Sequence, residues 1–148
     1  GQYIHRLNSV NFRFNDIHAA LGIKQLEKIN DFIKRRIEIA DTYEKNIENL
    51  TFQETPEYVT THSHMLFFAF AENSEMKEKY LNFLRQNGID ARLPYLPIHR
   101  QPCNIELANF ACPGADEIFE KALTLPIYNN MTLDECNLVT DFCNRIEK

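Results

Sequence analysis

The chain has 148 residues, 44% of them hydrophobic, with 16 Lys and Arg against 21 Asp and Glu and a formal net charge of −5. That is enough apolar material for one domain core, whereas the interspersed charges offer no basic groove for nucleic acid. No apolar run reaches the about eighteen residues that cross a bilayer, and no charged-then-apolar secretion signal opens the chain. The cysteines at 103, 112, 136 and 143 have no Cys-x-x-Cys spacing, so neither zinc nor a redox pair is expected, and reduced thiols in a cytoplasmic protein are the simplest reading. Glycines stand only at 1, 22, 88 and 114, which excludes a glycine-rich phosphate loop. Gly1 in place of Met reads as a processed or recombinantly expressed chain.

Residues 1–14 read as an extended lead-in, with the domain proper over 15–148. Asn15 or Asp16 can cap a helix, because a short side-chain oxygen there accepts from the free N–H groups of the first turn. Helical spacing then runs on. Ile33, Ile37, Ala40, Tyr43 or Ile47, and Leu50 fall on one stripe. Lys34 with Glu38 and Asp41 with Lys45 sit at i,i+4 on the other face. A restart capped by Asn30 divides this stretch into two helices, 16–29 and 31–49. Residues 51–63 carry no helical stripe and are interrupted by Pro56. Residues 64–71 are apolar at every alternate position on both faces, which predicts a central strand covered on both sides.

A helix capped by Ser74 follows, with Met76, Tyr80, Leu81 and Leu84 inward and Gly88 closing it in left-handed backbone. Residues 89–92 form a short strand candidate, and Pro94, Pro97 and Pro102 then hold an extended loop. A short helix over 114–122 leads into an extended piece at 123–128. Thr132 and Glu135 make a capping box for the last helix, whose inward stripe is Cys136, Val139, Cys143 and Ile146. The predicted fold class is α/β (α+β): a small sheet packed with helices and entered by a long N-terminal helical pair.

Several residues have chemistry in reach. Asn11, just ahead of a helix N-terminus, is placed to donate to an anion that the helix dipole also favours, and Arg13 adds a guanidinium. The plainer alternative is that both fix the turn into the helix. His99 sits in the proline-stiffened loop with Tyr95, where a ring is held with little entropy left to lose; the alternative is an ordinary surface histidine. His62 and His64 would share one face of a strand, which suits a metal, but no third ligand is near and no metal is expected. Lys24, Lys28, Lys34, Lys45, Lys77, Lys79, Lys121 and Lys148 all fall on polar helix faces or at the terminus. None is patterned as a buried, low-pKa amine, so no catalytic residue is assigned within the chain.

Three blocks in order point further. Asn11-Phe-Arg13 precedes Ala19-Ala20-Leu-Gly22-Ile-Lys-Gln25-Leu26; Tyr95-Leu-Pro97-Ile-His99-Arg-Gln101-Pro102 follows; Leu123-Thr-Leu125-Pro126-Ile-Tyr128 with Met131-Thr132 comes last. Together they resemble the C-terminal small domain of the DegT/DnrJ/StrS-type sugar aminotransferases, enzymes of fold type I that use pyridoxal phosphate (PLP). Ser9 stands where that family usually has Gly. The resemblance implies a partial enzyme whose Schiff-base lysine lies in a larger N-terminal domain. The intact protein would be a cytoplasmic homodimer that moves an amino group from an amino acid, glutamate foremost, to a nucleotide-linked keto sugar for lipopolysaccharide or related polysaccharide biosynthesis. It also implies that Asn11 reaches the phosphate of the partner subunit's PLP, and that Tyr95 and His99 lie at the sugar end of the substrate site. Arg13 would serve that phosphate, a substrate phosphate, or an acid at the interface. The fragment alone would be inactive. The competing expectation is a non-catalytic sugar-binding, regulatory or dimerisation module.

Overall fold

A computed structural model of the chain describes residues 3–8, 10 and 14–146. Helix α1 spans Asp16–Leu26 and α2 spans Ile29–Asn46; α3 spans Ser74–Gln86, α4 Pro113–Lys121 and α5 Leu133–Asn144. Strands β1 (Thr51–Phe52), β2 (Phe67–Phe70) and β3 (Ala122–Leu125) form one antiparallel sheet in the order β1-β2-β3. Phe67 faces Leu125 and Phe70 faces both Ala122 and, across the other edge, Thr51. The central strand expected from the apolar run is therefore present, and the helix-and-small-sheet class holds.

Local chemistry sets the element ends. Asn15 caps α1 by accepting from the His18 N–H. Thr132 and Glu135 close the reciprocal capping box at α5, with the Thr132 N–H donating to Glu135 at 2.7 Å. Gly88 follows α3 at φ +78°, a left-handed conformation that a side chain resists. Other expectations fail at their edges. The first helix stops at Leu26, and α2 starts after Lys28 with no side-chain cap, so Asn30 caps nothing. Asn73, one residue ahead of Ser74, caps α3. The apolar run becomes strand only from Phe67, because His64 turns the chain at φ +43°. Residues 51–63 contain β1, and residues 89–92 supply a single bridge, Arg92 to Thr124, rather than a strand. The proline-held loop is coiled into short 3-10 turns at Ile98–Arg100 and Pro102–Leu107.

One core sits where α2, α3 and α5 meet the sheet. It joins Ile39, Ala40, Tyr43, Ile47 and Leu50 of the α2 stripe to Tyr80, Leu81, Leu84, Leu123 and the expected Cys136, Val139, Cys143 and Ile146. Ile33 and Ile37, farther along the same stripe, are only half-buried. The Tyr43 hydroxyl donates to the Pro126 carbonyl at 2.8 Å, and its burial pushes its pKa well up. The Cys143 thiol is pushed up to about 12 by burial alone, which makes it an inert packing group.

Helix α1 stands apart from this core, for it has no buried residue. Phe14 is 80% exposed and Leu26 68%, with Ile17, Leu21 and Ile23 also open. So much exposed apolar surface on and beside one helix is unstable in water without a covering partner. Sedimentation of the 148-residue chain over about a hundredfold concentration range is expected to show self-association that Leu21→Glu weakens. A monomer at every concentration would remove this reading.

Candidate functional site

The structure brings two of the three sequence blocks' neighbourhoods together through one side chain. Gln101 is 6% exposed. Its Nε2 donates to the Tyr3 carbonyl at 3.0 Å and to the Leu96 carbonyl at 3.3 Å, and its Oε1 accepts from the His5 N–H at 2.8 Å. The Cys103 N–H donates back to the His5 carbonyl at 3.0 Å. The lead-in is thereby laced to the proline-rich loop across 96 residues of sequence. Tyr95 lies on this seam, its ring 5.1 Å from that of Tyr3 and tilted by 39°. An open cleft of about 360 Å³ lies beside it, lined by His5, Leu7, Asn8, Tyr95, Gln101 and Asn104, among others.

His99 faces the other way. Its Nε2 lies 2.9 Å from Asp116 Oδ1 on α4, with only 11% of the side chain exposed. A carboxylate only accepts, so Nε2 is the donor in this contact. Arg100 Nε pairs with the same Asp116 oxygen at 2.6 Å, and its Nη1 reaches Glu120 at 3.0 Å. The loop is thus clamped to α4 by two successive side chains. Of the expected site residues, Tyr95 meets the lead-in and His99 meets α4. Asn11 and Arg13 lie outside the described residues. Gln101 and Asp116 were assigned no role from the sequence. Gln101 stands inside the second block, where its type gives no hint of a partner 96 residues away, and no spacing links Asp116 to His99.

The histidine pair is not on a strand. His62 and His64 lie edge to face, 4.2 Å between ring centroids, in a narrow pocket with Glu44, Glu54 and Phe67. His62 Nδ1 is buried with no hydrogen-bond partner among the described residues. No set of three side chains suited to a metal occurs among those residues either. Burial, and then the neighbouring His62, lower the His64 pKa, while Asp41 opposes them; burial also raises that of Glu44. Lys77 corrects the reading of the lysines, because it is 4% exposed. Its Nζ donates to the Phe119 carbonyl at 3.4 Å near the C-terminal end of α4 and sits 5.5 Å from the Phe119 ring. That is a helix-end contact favoured by the dipole. Lys24, Lys28, Lys34, Lys45 and Lys79 are exposed.

A lowered His64 pKa gives a signed prediction. The unfolded chain takes up a proton at this ring as the pH falls through about 6.5, its ordinary value, while the folded chain resists until lower pH. Stability is then lost on acidification from pH 7 to 5. Urea midpoints of the parent should fall over that window, and those of His64→Asn, which tolerates the left-handed backbone, should fall less. Parallel profiles would contradict the assignment to His64.

A profile of the DegT/DnrJ/EryC1/StrS aminotransferase family matches residues 1–143. The chain is 29% identical over 145 residues to GDP-perosamine synthase of Escherichia coli O157:H7, covering 95% of this chain and 40% of that protein. It is 28% identical over 136 residues to the UDP-4-amino-4,6-dideoxy-N-acetyl-beta-L-altrosamine transaminase of Campylobacter jejuni (serotype O:2), covering 88% and 36%. Among solved structures, Helicobacter pylori PseC, an aminotransferase involved in the biosynthesis of pseudoaminic acid, superposes with a TM-score of 0.76 at 26% identity, covering 93% of this chain and 38% of that one. The chain therefore spans about two fifths of the length of its relatives.

Proposed function

The chain belongs to the DegT/DnrJ/EryC1/StrS aminotransferase family, and from that premise we propose that the whole protein moves an amino group from an amino acid, glutamate in our reading, to a keto sugar carried on a nucleoside diphosphate. Aminotransferases of this family depend on PLP, which holds the transferred nitrogen between the two half-reactions. The described residues do not by themselves make a covalent seat for it. Lys77 is the buried lysine and it is committed to α4, while no lysine lines the clefts beside Tyr95 and Arg92. We therefore assign the Schiff-base lysine to sequence outside this chain, and expect the fragment alone to be inactive.

The observation that carries the reading is the seam at Gln101. It holds the lead-in, at Tyr3 and His5, against the loop that carries Tyr95 and His99. In this proposal Asn11 donates to the cofactor phosphate of a partner subunit, with Arg13 beside it, and the Tyr95–His99 loop contacts the sugar. The exposed apolar side chains of α1 fit an intact homodimer with shared sites. The product would enter lipopolysaccharide or another polysaccharide in the cytoplasm.

The intact protein from its source cells tests this. A mass well above 17.4 kDa, a yellow chromophore that borohydride bleaches onto a lysine outside this sequence, and glutamate-dependent amination of a nucleotide-linked keto sugar are expected. A colourless native protein of the fragment's own mass, inert toward such sugars, would overturn the proposal.

A further inference from the structure

Beside the Tyr95 seam lies a second cleft, of about 320 Å³, lined by Tyr3, Arg85, Asp90, Arg92 and Leu93. Its two guanidinium groups are set by the backbone around them. Arg85, in the last turn of α3, donates from Nε to the Ala91 carbonyl at 2.7 Å, and its terminal nitrogens take no partner among the described residues. Arg92 is fixed to the sheet edge, since its N–H donates to the Thr124 carbonyl at 3.1 Å and its carbonyl accepts from the Thr124 N–H at 2.8 Å. The Arg92 side chain presents Nε and Nη2 to the Asp90 carboxylate. That fork grips two oxygens in one plane, which is also how guanidinium grips phosphate.

The Asp90–Arg92 pair is weakly held, because 65% and 63% of the two side chains are exposed. Arg85 and Arg92 against Asp90 leave one positive charge in the cleft, within a chain whose net charge is −5. Arg85 also offsets the negative C-terminal end of α3, which would otherwise repel an anion. Tyr3 closes one wall and rests on Tyr95, 5.1 Å between centroids, so this cleft adjoins the loop assigned to the sugar.

We propose that this cleft receives the diphosphate of the nucleotide-linked substrate, with Arg85 and Arg92 as its donors and Asp90 as an internal carboxylate that the phosphate displaces. The assignment rests on the aminotransferase reading for its ligand, and on the cleft alone for its chemistry. It requires recognition of the part that GDP and UDP sugars have in common, independent of the base. It also requires that removing Asp90 strengthen binding, because Arg92 is then free to face the phosphate.

Calorimetric titration with inorganic pyrophosphate at low salt, on the 148-residue chain and on the intact enzyme, tests the cleft. Saturable binding is expected, weakened about tenfold by Arg85→Gln or Arg92→Gln and tightened by Asp90→Asn, with urea midpoints unchanged. In the intact enzyme each arginine variant should raise KM for the nucleotide sugar about tenfold with kcat retained. Pyrophosphate that fails to bind, or binds equally to all three variants, overturns the proposal, as does an unchanged KM in both arginine variants of an active enzyme. A wild-type enzyme without transaminase activity would sink the parent reading alone, because the pyrophosphate titration judges the cleft independently.

Discussion

The primary amide of Gln101 ties the lead-in to the proline-rich loop, beside the Cys103–His5 backbone bond and the Tyr3–Tyr95 ring contact. Its oxygen takes the His5 N–H, while its nitrogen serves the Tyr3 and Leu96 carbonyls. Gln101 itself is only 6% exposed, so its amide has little access to water. Each bond is worth about 1 kcal/mol net, whereas leaving a buried polar group unpaired costs about 1–3 kcal/mol. The arrangement is therefore held more by what its loss would strand than by what its bonds add. The Tyr3 wall of the arginine cleft, and with it the Tyr3–Tyr95 contact, takes its place from that seam.

Behind the seam, the core provides rigidity without taking part in chemistry. Strand β3 is buried at every position and β2 on alternate ones, so the Thr124 contact that fixes Arg92 rests on a packed sheet. The His99–Asp116 and Arg100–Glu120 contacts clamp the loop to α4, and Lys77 ties α4 to α3. The loop is consequently gripped at three successive residues, by His99 and Arg100 toward α4 and by the Gln101 side chain toward the lead-in. Helix α1 lies outside this framework with its apolar side chains exposed, as suits a piece that spans two fifths of its relatives' length.

What was legible in the sequence followed from periodicity and caps. The α2, α3 and α5 stripes, the Asn15 cap, the Thr132–Glu135 box and the Gly88 stop are local patterns, and they appear as expected. The misses share a cause, since each depends on a contact distant in sequence. Strand β1 is two residues long and exists only because β2 pairs with it. The strand starts late, at Phe67, after a backbone turn at His64 that its apolar neighbours do not announce. Lys77 looks like a polar-face residue until the end of α4 is placed against it. In the site, the loop's Tyr95 and His99 were visible as residue types in a stiff segment, but their partners, Tyr3 and Asp116, were not. Residue spacing carries no information about which of many polar side chains will meet across 17 or more positions.

Hydrogen exchange on the 148-residue chain, comparing the parent with Gln101→Leu, tests the seam most directly. Residues 3–8 and the segment 95–104 should exchange faster in the variant, while β2, β3 and α5 keep their protection. Unchanged exchange at residues 3–8 would show that the lead-in is held by something other than Gln101. A loss of protection across the whole molecule would make Gln101 a residue of the core, not the joint between the lead-in and the loop.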